Sequence, residues 1–469
     1  MAVDESARFP PAPVMLLTGA NGAVGFGICL RILYQLSQPT QSDISLLNLF
    51  NHSNENHQLR SLSLQSSSEE EDFQSVYATP NGLTLLLGCR NRQKAQDARD
   101  ELLKKLNRLF KFENQDDRSV TSFSFIDRLT GQVEIISFQT YRQLWLENLK
   151  IEFLELDLSN LNSIFKAVDQ VKLQYGHLSH LLLNAGGGTF IGLDWIKVFR
   201  GMVRNLVEAL TYPDYMLESR SEETDDKLGY TWQLNVFGHY LLARLSLPLL
   251  ARTPSTLPAR IIWTGSLDGL AKYFDPQDYQ CLESDQAYQS TKYQVGLLGW
   301  AFNSVIRKYE ADVKKEETKV GTPQTASSPR VVSLVAHPGI VAGNMFTQIV
   351  GVFLDYAMLM TFYLVRTFFG SSHHVISAYK AGLVWTFASL GPSTIELGNL
   401  IGGEDYPFRM GARCDRIGGE YVVLESNHQT EGYQRWFDDE HANLILDKCD
   451  QLYLIHSRKQ KIDIDTESA

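Results

Sequence analysis

Residues 14–27 read VMLLTGANGAVGFG, an apolar run followed at once by a glycine-rich turn. The helix-like segment behind the turn continues to about Leu36. This order predicts a buried strand, a tight turn and a helix, because glycine lets the backbone turn sharply and lets a phosphate approach the amide groups at a helix N-terminus. A glycine-rich strand-to-helix loop with no ligand is the alternative interpretation of the same residues.

Strand-like and helix-like segments alternate along the chain after this turn. Further strands are predicted at residues 83–87, 151–156, 178–183, 260–263 and 331–336. The strand at 178–183 is nearly all apolar, which is typical of a parallel strand covered on both faces. The alternation predicts an α/β fold with a doubly wound parallel sheet, a Rossmann fold, whose ligand lies at the carboxyl ends of the strands.

Polar stretches interrupt this pattern at about 37–80, 113–148 and 187–230. The first has no periodicity and is rich in Ser, Asn, Gln and Glu, so a disordered surface insertion is predicted there. We predict a catalytic domain at 14–345 and a largely helical C-terminal extension at 346–469. The extension is predicted to hold a helix at 375–390, a strand at 420–424, an amphipathic helix at 430–454 and a frayed tail from His456.

The composition excludes several classes of protein. The formal net charge of -11 and the absence of a basic patch argue against a nucleic-acid partner. Five cysteines, an odd number without a Cys-x-x-Cys pair, support neither a disulfide framework nor a zinc site and fit a reducing compartment. The first residues lack the basic and apolar segments of a secretory signal, so the body of the chain is expected on the cytosolic side.

Polar residues follow several of the predicted strands. Arg90 and Arg92 come after the second strand, Asp157 after the third, and Asn184 after the fourth. A carboxylate behind the second strand would bind the ribose hydroxyls of NAD, whereas arginines suit the 2′-phosphate of NADP. The sequence therefore predicts NADPH as the cofactor. The alternative is that both arginines only solvate the start of a helix.

Tyr288 and Lys292 stand four residues apart on a predicted helix. A tyrosine hydroxyl beside a lysine is a suitable proton donor for the reduction of a ketone. The spacing alone is weak, since about one such pair is expected by chance among 20 tyrosines. Asn235 opens an apolar helix upstream, and Ser266 follows the fifth strand, where a serine that only caps a turn is the simpler interpretation.

With these motifs in this order, residues 14–345 resemble the short-chain dehydrogenase/reductase family. The resemblance implies that Tyr288 donates the proton to the ketone oxygen, and that Lys292 holds the nicotinamide ribose and lowers the pKa of Tyr288. It implies that Ser266 donates a hydrogen bond to the carbonyl and that Asn235 orders the water through which Tyr288 is reprotonated. The implied cofactor-binding residues are Gly19, Asn21, Val24, Gly25, Arg90, Asp157, Asn184, Gly186, Tyr288, Lys292, Pro338, Gly339 and Val341.

Two positions depart from the family's pattern. Ala23 stands where the glycine turn usually has its middle glycine. Gly343 stands where a threonine usually contacts the cofactor. These changes bear on cofactor affinity more than on the chemistry of reduction.

Within that family, residues 235–239, residues 260–266 and the 22-residue separation of Ser266 from Tyr288 are similar to the fungal 3-keto-steroid reductases of sterol C4-demethylation. The resemblance implies NADPH-dependent reduction of the C3 ketone of a 4-methyl-3-ketosterol to the 3β-alcohol. The implied partners are the sterol, a membrane lipid surface, and the C4-methyl oxidase, C3-dehydrogenase/decarboxylase and scaffold protein of that pathway. The implied location is the cytosolic face of the endoplasmic reticulum membrane, with lipid droplets as a second location.

Two other functions stay open at this point. One is reduction of another lipid carbonyl, such as a retinoid or a fatty-acyl ketone. The other is a catalytically idle scaffold in a sterol-synthesis complex, which Ala23 and Gly343 leave open.

Residues 349–365 form an apolar segment whose only charged residue is Asp355. A charge in mid-segment would cost a transmembrane helix about 2.5 to 3.5 kcal/mol. Gln348, Asp355 and Arg366 fall within about 20° of one another on a helix, and such a stripe predicts a helix at 349–370 that lies on a membrane. The alternative is a buried lid helix over the substrate.

Overall fold

The computed structural model describes residues 5–45, 74–113, 122–320, 330–343, 347–391, 407–426 and 435–467. The central part of the insertion predicted at 37–80 lies outside the described residues. The strands are β1 (Val14–Thr18), β2 (Thr84–Cys89), β3 (Ser122–Ile126), β4 (Val133–Ser137), β5 (Lys150–Glu155), β6 (His180–Leu183), β7 (Phe190–Leu193), β8 (Met216–Glu218), β9 (Ala259–Thr264), β10 (Val331–His337), β11 (Phe408–Cys414) and β12 (Glu420–Ser426). The helices are α1 (Ala23–Leu36), α2 (Arg92–Glu113), α3 (Phe138–Asn148), α4 (Leu161–Gln174), α5 (Trp195–Arg204), α6 (Leu206–Thr211), α7 (Tyr230–Trp232), α8 (Gly238–Leu250), α9 (Ala287–Val320), α10 (Thr347–Thr367), α11 (Ala378–Leu390) and α12 (Asp439–Glu467).

Eight of the strands form one sheet in the order β12-β11-β10-β9-β6-β1-β2-β5. The neighbouring strands are parallel except β11 and β12, which are antiparallel. Strand β1 has β2 on one side and β6 on the other, so the winding of the chain reverses there. The carboxyl ends of β1 and β6 frame the crevice in which such sheets bind their ligands. The predicted doubly wound parallel sheet is confirmed.

The sheet is covered on both faces, as its apolar strands predict. Every residue of β1, β2, β9 and β10 is buried. Met15 and Leu17 of β1 belong to one apolar cluster and Val14 and Leu16 to another, because successive side chains of a strand point to opposite faces. On the first face α1 packs against α11, and a Cβ on Gly27 would lie 2.2 Å from the carbonyl oxygen of Ala378. A glycine is therefore required at this helix crossing.

The C-terminal section contributes to the same sheet. Strand β12 agrees with the strand predicted at 420–424, but β11 was not predicted. The sequence of β11 does not indicate a buried strand, because two arginines and a glycine interrupt the apolar pattern, although all seven residues are buried. Helix α12 continues to Glu467, so the tail predicted to be frayed from His456 is helical instead. The domain boundary at 345 stays a prediction.

Two of the predicted insertions contain regular structure. Residues 122–148 form the hairpin of β3 and β4 followed by α3. Residues 190–218 form the antiparallel pair of β7 and β8, with α5 and α6 between the two strands. Both hairpins lie outside the main sheet, so their strands lack the continuous apolar run by which the central strands were found.

Candidate active site

The glycine turn after β1 lies directly against the end of β6. Gly19 has a φ of +69°, and a Cβ there would lie 2.9 Å from the Cα of Ala185. A Cβ on Gly25 would lie 2.3 Å from the carbonyl oxygen of Gly19 and 2.8 Å from Nδ2 of Asn184. The hydroxyl oxygen of Thr18 accepts hydrogen bonds from the amides of Asn184 at 2.8 Å and Ala185 at 2.9 Å. The two strand ends are thus fastened together, with no room for side chains between them.

This backbone surface fits the phosphates and ribose of a dinucleotide. Helix α1 begins behind Gly22, whose place at the N-cap offers no side-chain hydrogen bond to the first amides of the helix. Those amides therefore favour an anionic ligand. The Oδ1 atom of Asn184 is buried and has no hydrogen-bond partner among the described residues. A Cβ on Gly186 would lie 3.0 Å from Oδ1 of Asn235 and 3.2 Å from Nζ of Lys292, so glycine keeps this surface open.

The other predicted cofactor-binding residues of the glycine turn lie at or just before the start of α1. Asn21 is exposed and Val24 is half-buried at the start of α1. The two positions that depart from the usual pattern are close in space, because a Cβ on Gly343 would lie 3.4 Å from Cβ of Ala23. The methyl group of Ala23, where the family usually has glycine, therefore faces Gly343, where the family usually has the larger threonine.

The predicted cofactor residues at other strand ends lie at the same edge of the sheet. Arg90 and Arg92 are exposed behind β2, and the guanidinium of Arg92 lies 4.7 Å from the ring centroid of Phe153. Asp157 follows β5, and its Oδ1 accepts hydrogen bonds from the amide and the hydroxyl of Ser159 at 2.9 and 2.6 Å. Arg90 directly follows the last residue of β2, and a guanidinium is suited to binding a phosphate there.

Residues 338–341 follow β10 on the far side of the crevice. Pro338, Gly339 and Val341 are half-buried, and Gly339 has a φ of +67°. Val341 pairs with Ile376 in an isolated bridge, which ties this loop to the segment after α10.

Tyr288 and Lys292 lie in the first turns of α9. The ammonium of Lys292 donates a hydrogen bond to the carbonyl oxygen of Thr264 at 3.0 Å, and it lies 5.8 Å from the ring centroid of Tyr288. Burial lowers the pKa of Lys292 to about 8. Burial, and then the charges of Asp268 and Glu218, raise the pKa of Tyr288 above its usual range. Tyr288 is therefore a neutral hydroxyl, whereas the resemblance implied a lowered pKa.

Asn235 lies in a π-helical turn, Gln233–Phe237, between α7 and α8. Its Nδ2 donates to the carbonyl oxygen of Gly187 at 2.8 Å and to Oγ1 of Thr291 at 2.9 Å. Its Oδ1 accepts from the amide of Gly187 at 3.0 Å. Such wide turns are frequent at functional sites, and this one joins the segment after β6 to the helix of Tyr288.

His239 connects Asn235 to the glycine turn, a role that the sequence did not indicate. Nδ1 lies 3.0 Å from the carbonyl oxygen of Asn235, and Nε2 lies 3.1 Å from the hydroxyl oxygen of Thr18. Burial lowers the pKa of His239 to about 3, so the ring is neutral. Nδ1 therefore donates to the carbonyl, and Nε2 accepts from Thr18.

Ser266 follows β9 on a loop packed against α9. Its hydroxyl oxygen accepts a hydrogen bond from the amide of Asp268 at 3.2 Å, as a turn-capping serine would, and its O–H can still donate. A Cβ on Gly269 would lie 2.8 Å from the carbonyl carbon of Lys292, so the loop touches the helix of Tyr288. The carbonyl oxygen of Ser266 accepts from Arg409 of β11 at 3.0 Å.

Two carboxyl groups near Tyr288 were missed by the sequence analysis. Both oxygens of Glu218 accept from the amide of Tyr288, at 3.1 and 3.0 Å, and burial raises the pKa of Glu218 to about 7. Asp268 is buried, and burial raises its pKa to about 8. Glu218 belongs to no local motif, because it lies 70 positions before the amide that it binds.

The fold and this set of residues define the class of the protein, a short-chain dehydrogenase/reductase. A scan of family models found no match. The chain is 31% identical over 273 residues to the 3-keto-steroid reductase of Eremothecium gossypii, covering 58% of this chain and 69% of the relative. It is 27% identical over 434 residues to the 3-keto-steroid reductase of Schizosaccharomyces pombe, covering 90% and 96%. The chain belongs to the family of fungal 3-keto-steroid reductases.

Solved structures similar to this chain are more distant. The L-sorbose reductase of Gluconobacter frateurii, complexed with NADPH and L-sorbose, has a TM-score of 0.39 and 12% identity, with 81% of this chain and 89% of that chain covered. The NADPH-dependent 3-quinuclidinone reductase of Rhodotorula rubra has a TM-score of 0.39 and 12% identity, with 81% and 85% covered.

Proposed function

We propose that the chain reduces the C3 ketone of a 4-methyl-3-ketosterol to the 3β-alcohol with NADPH. The observation that carries this proposal is the half-buried, neutral Tyr288 beside the ammonium of Lys292, at the edge of a surface shaped for a dinucleotide. The names of the relatives support a steroid ketone as the substrate.

The residues divide the work of reduction between them. The glycine turn and the end of β6 would hold the pyrophosphate and nicotinamide ribose, and Arg90 and Arg92 would bind the 2′-phosphate. NADPH bound there would supply the hydride to C3. Tyr288 donates its proton to the ketone oxygen, and Ser266 donates a hydrogen bond to the same oxygen. Lys292 binds the ribose, and its positive charge stabilises the tyrosinate until a proton returns through water ordered by Asn235.

We also propose that the chain works at the cytosolic face of the endoplasmic reticulum membrane or on lipid droplets. Helix α10 supports a lipid-facing surface, because Val352, Phe353 and Met360 are exposed while Arg366 is buried. Among the described residues, no helix combines the length and hydropathy that a membrane span requires. The C4-methyl oxidase, the C3-dehydrogenase/decarboxylase and the scaffold protein of sterol synthesis are proposed as partners.

A substrate panel tests the proposed function. Detergent-solubilised protein would be given a 4α-methyl-3-ketosterol, a retinoid aldehyde or a fatty-acyl ketone, each with NADPH or NADH. We expect kcat/KM to be at least about ten-fold higher for the ketosterol than for the other carbonyls, and for NADPH than for NADH, since each 1.4 kcal/mol of differential binding gives ten-fold. Preference for another carbonyl would contradict the sterol assignment, and folded protein that turns over no substrate would favour the scaffold.

The rate of reduction should fall in alkaline solution. Lys292 in the free enzyme has a pKa of about 8, so its ammonium is lost above that pH and with it the charge that binds the ribose. We expect kcat/KM to fall about ten-fold per pH unit above pH 8. Tyr288, whose pKa is raised, keeps its proton in this range.

The stability of the fold, measured over the same pH range, is the control for the pH dependence of activity. The unfolded chain binds more protons than the native one between the lowered pKa of Lys292 and its ordinary value of 10.5, so Lys292 makes the fold more stable as pH rises there. If deprotonation of Lys292 causes the loss of activity, the protein should therefore stay folded over the same pH range. A flat kcat/KM between pH 7 and 9.5, with circular dichroism unchanged, would contradict the assignment.

A further inference from the structure

Helix α5 exposes large apolar side chains to solvent. Trp195, Ile196, Phe199 and Val203 are 57%, 66%, 71% and 72% exposed. At about 100° per residue these four side chains fall within about 100° of the helix circumference. Contiguous exposed apolar side chains of this size mark a surface that binds another protein or a membrane.

The charged residues within α5 are all positive, although its N-cap residue is Asp194. Lys197, Arg200 and Arg204 are exposed and follow the apolar face around the helix, within about 60° of one another. The ten residues of α5 include no acidic residue, although the whole chain has a net charge of -11. An apolar face with a tryptophan, bordered by cations, is typical of a helix that lies at the surface of an anionic bilayer.

Helix α10 extends this surface. Met202 of α5 packs against an apolar cluster that includes Leu210 of α6 and Phe362 and Val365 of α10, so α5 and α10 border the same cluster. On α10 the exposed side chains Val352, Phe353, Tyr356, Met360, Tyr363 and Leu364 are uncharged. Both helices thus expose apolar side chains, and the cations are supplied by α5.

The segment that carries α5 also contacts the catalytic tyrosine. Strand β7, directly before α5, places the ring of Phe190 5.4 Å from that of Tyr288. Strand β8, after α6, places Glu218 on the amide of Tyr288. Residues 190–218 therefore join an exposed apolar helix to the wall of the candidate site.

We propose that α5 docks on an anionic lipid bilayer, with Trp195, Ile196, Phe199 and Val203 among the acyl chains and Lys197, Arg200 and Arg204 at the headgroups. Docking there places the β7–β8 hairpin between the bilayer and Tyr288, so a sterol passes from the lipid to the site along this segment. The inference deepens the proposed function and relies on it for the identity of the molecule that passes.

Vesicle co-sedimentation of the full chain tests the inference. Wild-type protein is expected to bind vesicles of phosphatidylcholine mixed with phosphatidylserine more tightly than vesicles of phosphatidylcholine alone. Because each cation near an anionic surface contributes about five-fold in binding, the variant Lys197→Gln/Arg200→Gln/Arg204→Gln should bind the mixed vesicles on the order of 100-fold more weakly. The variant Phe199→Ser/Val203→Ser should bind both kinds of vesicle more weakly.

The matched control removes three exposed cations from the far end of α9, in Lys308→Gln/Lys314→Gln/Lys319→Gln. Equal loss in this control would show a general charge effect and would overturn the assignment to α5, as would wild-type binding by the α5 triple variant. Ketone reduction by the same proteins in detergent is a separate measurement. Failure of wild-type protein to reduce the ketosterol, with vesicle binding intact, would count against the proposed function alone.

Discussion

Tyr288→Phe is expected to lower kcat for reduction of the ketosterol by about 10²–10⁴-fold and to leave the protein folded. The variant lacks only the hydroxyl that donates the proton, and it keeps the ring that packs beside Phe190. NADPH binding should persist, because the glycine turn and Lys292 are unchanged. Steady-state NADPH oxidation with a 4α-methyl-3-ketosterol, beside fluorescence titration of NADPH binding, measures both quantities.

A tyrosine on the same helix provides the control for this variant. The hydroxyl oxygen of Tyr293 lies 3.1 Å from Nδ1 of His441 on α12, and Tyr293 takes no part in the candidate site. Tyr293→Phe should keep a kcat within about two-fold of the wild type, at a cost in stability of about 1 kcal/mol. Turnover by Tyr288→Phe comparable to that of Tyr293→Phe would remove Tyr288 as the proton donor.

Glu425→Gln is expected to lower the free energy of unfolding by about 3–5 kcal/mol, since it leaves buried cations without their partner. Arg409 donates to Glu425 at 2.8 Å, Arg413 also donates to it, and Nε2 of His337 lies 3.2 Å from it. Arg409 and Arg413 are both buried. Urea unfolding of the variant and the wild type gives the difference. An exposed pair supplies the control, because Asp285→Asn, which removes the partner of Arg220, should leave the free energy of unfolding almost unchanged.

The effect of Glu425→Gln should depend on pH in a defined direction. The neighbouring cations hold the pKa of Glu425 well below its ordinary value of 4.5. The stability that its ionised form contributes is therefore present above pH 4.5 and is lost as pH falls toward the lowered pKa. We expect the gap between wild type and variant to narrow on acidification below pH 4.5. A gap that stays constant down to pH 3 would show that Glu425 acts through packing and not through its charge.

Replacement of Glu425 should also disturb the loop of Ser266 in the candidate site. Arg409 binds the carbonyl oxygen of Ser266 as well as Glu425, so the edge of the sheet built by β11 and β12 supports the loop of Ser266. The C-terminal section thus supports the loop that carries a proposed catalytic residue. No pattern in residues 408–426 indicated this contact before the structure was known.

The departures at Ala23 and Gly343 show that the effect of a single residue on the cofactor site cannot be inferred from its position in the sequence alone. Taken separately in the sequence, each changes a residue that usually borders the cofactor. In the structure a Cβ on Gly343 would lie 3.4 Å from Cβ of Ala23, so the larger residue and the smaller one face each other. Whether two changes compensate depends on a distance between residues far apart in the chain.

The sequence by itself determined the doubly wound sheet, the glycine turn and the predicted places of Tyr288 and Lys292, because these features rest on local periodicity and short spacing. The tertiary structure decided what local patterns cannot express. It placed Glu218 on the amide of Tyr288, Arg409 on the carbonyl of Ser266, and the apolar side of α5 at the surface. Each of these depends on contacts between distant segments, whose energies appear only when the folded chain excludes water and brings charges together.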